Sequence, residues 1–381
     1  MATSRFSFPT TIHFGPGARH LAVGHLQDAG LARPLIVTDR GLAGSPLVRA
    51  LAEELAEGKL GPAVFGGVWG NPVAAQVAEG VAAFRAHGAD AIIGCGGGAA
   101  LDVAKAVALM SAHDGDILDY AWDHPRPREI RRSPAHWIAL PTTSGTGSEV
   151  GRSAVIAEDA THVKRIIFSP ALLARAVFAD PELTFSLPAP VTAATGMDAL
   201  THNVESYLSP AYHPLCDGVA LEGARIVAAH LRRAVRDGDD LAARSGMMMG
   251  ALMGGVAFQK DLGAVHSCAH ALGAVADLHH GLANAIMIDH VMRFNLGAAE
   301  EKLRELGRVC GAGPEAEDFI DWLGRLKADI GIPAGLGAAG IGAGQIARLV
   351  DVAWADSCHR TNPRPCSRED FVALFEAALR P

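Results

Sequence analysis

Ala91-Ile92-Ile93-Gly94-Cys95-Gly96-Gly97-Gly98-Ala99-Ala100-Leu101-Asp102-Val103-Ala104-Lys105 is the stretch on which the reading of the fold turns. The apolar run ending at Cys95 predicts a strand buried on both faces, as in a parallel sheet. Three glycines then turn the chain, and the residues from Ala99 to Lys105 have a helical composition. A strand, a glycine-rich turn and a helix N-terminus can hold a phosphate through backbone N–H groups and the helix dipole. Three glycines alone fit a plain tight turn equally well.

Outward toward the N-terminus the alternation repeats. Phe6–Phe14 reads as a strand closed by Gly15-Pro16-Gly17, and Ala18–Ala29 as a helix. Pro34–Asp39 is a buried strand, Ser45–Gly58 a helix, Ala63–Phe65 a short strand and Val73–His87 a helix. Trp137–Pro141 adds another strand. Such alternation predicts a doubly wound α/β sheet. Asp39 ends one strand, where a carboxylate can accept from ribose hydroxyls and repel a 2′-phosphate, favouring NAD over NADP. It can equally cap the helix that follows. Asn71-Pro72 fits a loop-to-helix junction. After Pro141 come Thr142-Thr143-Ser144-Gly145-Thr146-Gly147-Ser148-Glu149, a poor core segment but rich in donors for a phosphate or a carboxamide.

Past Pro188-Ala189-Pro190 the pattern turns helical, through Val191–Leu208, Leu215–Asp237 and Leu241–Gly255. Asp198 and His202 stand four apart, as do His266 and His270, and His279-His280 follows. Residues four apart share a helix face, so a carboxylate and several imidazoles can converge on a borderline cation such as Fe(II) or Zn(II). Spacing alone leaves all of them interchangeable as ligand candidates. Glu300–Gly331 reads as a helix pair with a solvated face, and Gly335–Gly344 as a loop with a short helix.

Length and composition set the outer bounds. The 381 residues are enough for two domains, drawn here as 1–187 and 188–381. Hydrophobic residues make up 49% and charged residues 19%, which excludes a disordered chain. A net charge of −8 argues against nucleic acid or an anionic membrane as partner. No apolar run approaches the roughly 20 residues that span a bilayer. Met1–Phe14 lacks the basic-then-apolar pattern of a signal peptide. The six scattered cysteines then read as reduced thiols, and the cytoplasm is the expected location.

Taken together, the motifs give the chain a clear resemblance. It resembles the iron-dependent (group III) alcohol dehydrogenase family from end to end. The matching segments are Gly96-Gly97-Gly98 with Asp102 and Ala104-Lys105, Pro141–Glu149, Asp180-Pro181-Glu182-Leu183, Ala193–His202, Gly263–His270, and His280-Gly281 with Asn284. Ala99-Ala100 stands where the family usually has Ser-Pro. The resemblance implies an α/β N-terminal dinucleotide-binding domain and an all-helical C-terminal metal-binding domain, the dehydroquinate synthase-like fold. It implies Asp198, His202, His266 and His280 as ligands of one divalent metal, Fe(II) or Zn(II), with His270 a second-sphere histidine and proton relay. It implies Asp39, Asn71, Gly97, Gly98, Asp102, Thr142, Thr143, Ser144 and Lys164 as contacts for NAD. It also implies at least a homodimer, with the strand at Phe6–Phe14 contributing.

The substrate is expected to be a small molecule. Arg152, Lys260 and His359, the last within a basic segment running to Arg364, offer cations for a carboxylate, or pair with internal acids such as Asp261 or Glu149. Leu200–Tyr212, Phe258-Gln259-Lys260 and Cys358–Pro363 look most like the 4-hydroxybutyrate dehydrogenase branch. An ω-hydroxy acid and its semialdehyde are therefore expected, with uncharged alcohols or diols as the alternative. Maleylacetate reduction is disfavoured because Asp198 is present, and a non-catalytic metal-binding protein because the Thr142–Glu149 loop is intact.

Overall fold

The structure is a computed structural model that describes residues 6–161 and 163–379. The chain divides into two compact units. One comprises Phe8–Thr143 and Ser148–Thr184, and the other the chain from Phe185 onward with Ser144–Gly147 and, at the N-terminal end, Phe6-Ser7.

The first unit runs Thr11–Phe14 (β1), Leu21–Asp28 (α1), Pro34–Asp39 (β2), Arg40–Ala43 (α2), Pro46–Glu57 (α3), Ala63–Val68 (β3), Ala74–His87 (α4), Ala91–Gly96 (β4), Gly98–Ser111 (α5), His136–Pro141 (β5), Ser153–Ala157 (β6), Lys164–Phe168 (β7) and Ala176–Ala179 (β8). Six strands form a parallel sheet in the order β1-β8-β5-β4-β2-β3, while β6 and β7 pair as an antiparallel ribbon. The interior strands are largely apolar because helices cover both faces of the sheet. Ile36, Ile93, Ile138 and Phe178 pack with Leu26 of α1 and Leu51 and Leu55 of α3. Each such buried side chain contributes about 1.5–3 kcal/mol.

Strand order reverses between β2 and β4, since the chain leaves β2 toward β3 on one side and β4 toward β5 on the other. In open α/β sheets, ligands bind at the carboxyl ends of such a pair. Asp39 ends β2 and Gly96 ends β4. The expected strand at Phe6–Phe14 begins only at Thr11. Pro9, just upstream, has no N–H to give a sheet. The part of the N-terminal reading that falls on residues 1–5 lies outside the described residues. Strands β6, β7 and β8 were not foreseen. β8 is the four residues Ala-Val-Phe-Ala, too short for a period to show.

The second unit is helical: Ala189–Leu208 (α6), Pro214–Arg236 (α7), Leu241–Ala257 (α8), Ala264–Ala276 (α9), His280–Cys310 (α10), Ala316–Asp329 (α11), Ile346–Ala355 (α12) and Arg368–Leu379 (α13). α6 lies at its centre, buried along most of its length against α7, α8 and α10. Two of its polar side chains bond within the unit: Thr201 Oγ1 donates to Met197 O at 2.8 Å, and Asn203 Nδ2 to Ala199 O and Gly250 O, while Asn203 Oδ1 and Ser206 Oγ are buried without a partner among the described residues. One correction concerns membranes. Leu241–Lys260 is long and apolar enough to cross one by length and composition. More than half of it is buried inside the unit. Its Arg244 is buried too, donating to Thr192 Oγ1, Gly238 O and Leu187 O. It is a core helix.

Candidate functional site

One turn of α6 separates Asp198 from His202, α9 carries His266 near its start, and His280 opens α10. The three helices bring the four side chains together, with all their ligating atoms within 4.8 Å of one another. Asp198 Oδ1 lies 3.7 Å from His202 Nε2, 3.9 Å from His266 Nε2 and 3.5 Å from His280 Nε2. These separations are too long for hydrogen bonds. They are close to those of atoms sharing one ion, since ligand bonds of about 2.1 Å at a tetrahedral angle put ligand atoms about 3.4 Å apart. Asp198 and His266 are each 1% exposed. Burial holds His266 well below its usual pKa, which leaves a neutral imidazole and its lone pair. One buried carboxylate amid three imidazoles is a site that suits a cation.

The far ring nitrogens of His202 and His266 are fixed from outside this group. His202 Nδ1 faces Gly145 O at 3.3 Å, and a carbonyl only accepts, so Nδ1 donates and Nε2 carries the lone pair. His266 Nδ1 is met by Glu205. Gly145 belongs to the Ser144–Gly147 loop, which rests on backbone of the helical unit. A Cβ at Gly147, whose φ is +62°, would lie 2.5 Å from Gly255 Cα, so the loop cannot take a larger residue there. Asn284, one turn beyond His280, donates from Nδ2 to Asp198 Oδ1 at 2.8 Å, and its buried Oδ1 has no partner among the described residues.

His270 lies one turn beyond His266, its ring stacked 5.4 Å from that of His280. Its Nδ1 meets Asp356 Oδ2 at 2.8 Å, and Asp356 Oδ1 accepts from Ser267 Oγ and Cys358 N. Burial would raise the Asp356 carboxyl, but His270 and these donors outweigh it and hold it well below the usual range. His279 caps α10, its Nδ1 accepting from Leu282 N, which leaves it outside the four.

In the sheet unit, the glycine-rich turn forms the N-terminus of α5. Gly96 has a φ of +156°, and a Cβ there would lie 2.6 Å from Ala100 Cβ and 3.5 Å from Asp39 Oδ2. Gly97 caps α5 with no side chain, and a Cβ on it would approach Thr143 Cγ2 to 3.2 Å. Thr142 N donates to Gly96 O, which closes the turn. Asp39 Oδ1 accepts from Gly41 N and Leu42 N, so the helix-cap reading holds for that oxygen while Oδ2 faces the turn. Lys164 pairs in register with Ala157, whose N–H donates to Pro72 O, so Lys164 and Asn71 share one edge. Asp102 commits both oxygens elsewhere, accepting from Ser148 Oγ at 2.6 Å, Lys105 Nζ at 3.3 Å and Val155 N at 3.0 Å. It braces α5 against β6. In the loop clustered with the helical unit, Ser144 Oγ is buried without a partner among the described residues.

The three expected substrate cations fare differently. Lys260 is buried with its ammonium on Asp217 and on Tyr207 O, so the expected free cation is absent there. His359 is buried too, its ring between Trp354 and Phe371 and its Nε2 on Trp354 O. Arg152 alone keeps a guanidinium without an ion pair among the described residues, 5.7 Å over the Phe168 ring. Sequence reasoning missed the roles of Glu205, Asn284 and Asp356. The spacing Asp198, His202, Glu205 on one helix face was the signal for the first.

Two family profiles match the chain: iron-containing alcohol dehydrogenase over residues 9–181, and the C-terminal part of the Fe-containing alcohol dehydrogenase family over residues 192–379. The chain is 37% identical to 4-hydroxybutyrate dehydrogenase of Cupriavidus necator, over 97% of this chain and 98% of that one. It is similar to the crystal structure of a 1,3-propanediol oxidoreductase, with a TM-score of 0.94, 36% identity and coverage of 98% and 100%. It is also similar to sulfoacetaldehyde reductase from Bifidobacterium kashiwanohense in complex with NAD+, with a TM-score of 0.92, 28% identity and full coverage of both chains.

Proposed function

Because the chain belongs to the iron-containing alcohol dehydrogenase family, we propose that it interconverts a small ω-hydroxy acid and its semialdehyde, with 4-hydroxybutyrate and succinic semialdehyde as first choice. It is an NAD-dependent oxidoreductase, and its family uses NAD with a divalent metal, usually iron. The observation that carries the reading of the site is the convergence of three Nε2 atoms on Asp198 Oδ1 at non-hydrogen-bonding distances. In this reading Asp198, His202, His266 and His280 hold the metal, and Fe(II) and Zn(II) both suit their donors. When bound, the ion supplies Lewis acidity toward the substrate oxygen and NAD supplies the hydride acceptor.

The chain's own residues do the rest. His270, oriented by Asp356, takes up or returns the proton at its Nε2, since Nδ1 is committed to the carboxylate. Gly97, Gly98, Thr142 and Thr143 offer the phosphates backbone and hydroxyl donors. Asp39 Oδ2 accepts from the ribose, and Asn71, Lys164 and Ser144 complete the cofactor contacts. Asp102 serves the cofactor through the elements it braces.

Arg152 is the remaining candidate for the substrate carboxylate. Oxidation of 4-hydroxybutyrate and of 1-butanol by the purified, metal-analysed enzyme with NAD tests the substrate. At least a tenfold preference in kcat/KM for the acid is expected, and none would overturn the reading in favour of uncharged alcohols or diols. The similarity to a 1,3-propanediol oxidoreductase favours that second reading. Arg152→Ala is expected to raise KM for the acid by about tenfold or more, from a lost charge-assisted bond of about 1.5–3 kcal/mol, and to leave KM for butanol unchanged. We read the protein further as a cytoplasmic homodimer or larger assembly. Its six cysteines are thiols, and Phe6 and Phe14 expose apolar rings near the N-terminus. Light scattering on the eluted peak checks the assembly.

A further inference from the structure

Glu205 stands on α6 one turn beyond His202, on the face that carries Asp198 and His202. It is 2% exposed. Its oxygens accept four hydrogen bonds: Oε1 from Val265 N at 2.7 Å, and Oε2 from Gly263 N at 3.0 Å, His266 N at 3.3 Å and His266 Nδ1 at 2.6 Å. The three backbone donors belong to the start of α9, whose cap residue Gly263 has no side chain to satisfy them. A carboxylate from another helix does that work, and the α9 dipole favours its charge. Because a carboxylate accepts, His266 Nδ1 donates, and the lone pair is left on Nε2, the atom that faces Asp198. The approach is close: a Cβ at Gly263 would lie 2.7 Å from Glu205 Oε1.

We propose that Glu205 is a positioning residue for the metal centre, fixing the His266 ring and tautomer and so raising the affinity of the four-residue cluster for a divalent ion. The inference rests on the reading of Asp198, His202, His266 and His280 as the ligands. A carboxylate on the far nitrogen of a ligating imidazole makes it more basic and restricts its rotation, and loss of such a partner costs about 10–100-fold in metal affinity. Glu205 reaches the ion only through His266.

The test is competition between the protein and a chelator for zinc(II) and cobalt(II), with the visible absorption of the cobalt-loaded protein as a second reading. Glu205→Gln is expected to bind both ions about 10–100-fold more weakly and to change the cobalt spectrum. Unfolding of the metal-free proteins separates this from a merely structural role, which would lower the unfolding midpoint but leave affinity and spectrum of the folded protein unchanged. Gly263→Ala, which keeps every ionisable group and crowds Oε1, is expected to weaken binding in the same direction and serves if Glu205→Gln does not fold. Wild-type affinity and spectrum in the variant that folds would overturn the proposal. His266→Ala separates it from the ligand reading: wild-type affinity there would remove the ligand set itself, whereas its loss beside an unchanged Glu205→Gln would remove only the role of Glu205.

Discussion

In the helical unit three imidazoles gather round one carboxylate, while in the sheet unit His25 and His136 meet with no carboxylate between them. His25 Nε2 and His136 Nε2 are 3.1 Å apart, closer than any of the three nitrogens is to Asp198 Oδ1. The close pair is a hydrogen bond, one ring donating and the other accepting. Burial lowers both pKa values, that of His136 to about 4. In the helical unit the three Nε2 atoms face one carboxylate oxygen at 3.5–3.9 Å, and Gly145 O and Glu205 occupy the far nitrogens of His202 and His266. Proximity of histidines is therefore a poor guide to a metal site. Charge and outer hydrogen bonds are better ones.

The largest expected effect comes from removing that anion. Asp198→Asn should lose its metal on passage over a chelating resin and lower turnover at least 10³-fold, equivalent to about 4 kcal/mol. NAD affinity, measured by fluorescence titration, should stay within about twofold. Retained metal with near-normal turnover would break the comparison. Asp356→Asn should have a smaller effect, lowering kcat about 10²-fold with metal content and KM little changed. Loss of the ion instead would move Asp356 from proton handling to the metal centre.

Substitution of the other pair should leave the metal alone. The variant carrying His25→Asn and His136→Asn is expected to keep the wild-type metal stoichiometry. It should differ in acid stability, with the sign set by His136. Its folded pKa of about 4 lies below the ordinary 6.5, so between these values the unfolded chain binds more protons. Wild-type stability therefore falls as pH drops from 6.5 to 4, and the variant's urea midpoint should fall less over that window. A variant that lost its bound ion would show the two groups to be alike after all.

Much of this was legible in the sequence, for reasons particular residues show. Pro34–Asp39 and Ala91–Gly96 are covered on both faces and so read as continuous apolar runs. Asp198/His202 and His266/His270 announce themselves because a helix puts residues four apart on one face. What was not legible depends on contacts remote in the chain. Lys260 reads as a substrate cation beside a metal-bearing helix, yet Asp217, 43 residues earlier, takes its charge. Asp356 sits 86 residues from His270, so no local pattern links them, and Glu205, whose spacing shows its helix face, lies 61 residues from the His266 it meets. Asp39 was open between helix cap and ribose acceptor, and the structure gives one oxygen to the cap and turns the other toward Gly96.

Metal content and turnover followed together through removal and return of the ion test the central claim most directly. The enzyme is purified anaerobically, its metal counted by mass spectrometry, stripped with chelator, and reloaded with iron(II) or zinc(II) in separate samples. One ion per chain is expected, with turnover lost on stripping, recovered on reloading, and NAD affinity unchanged throughout. Full turnover in the stripped protein, with no ion counted, would contradict the account.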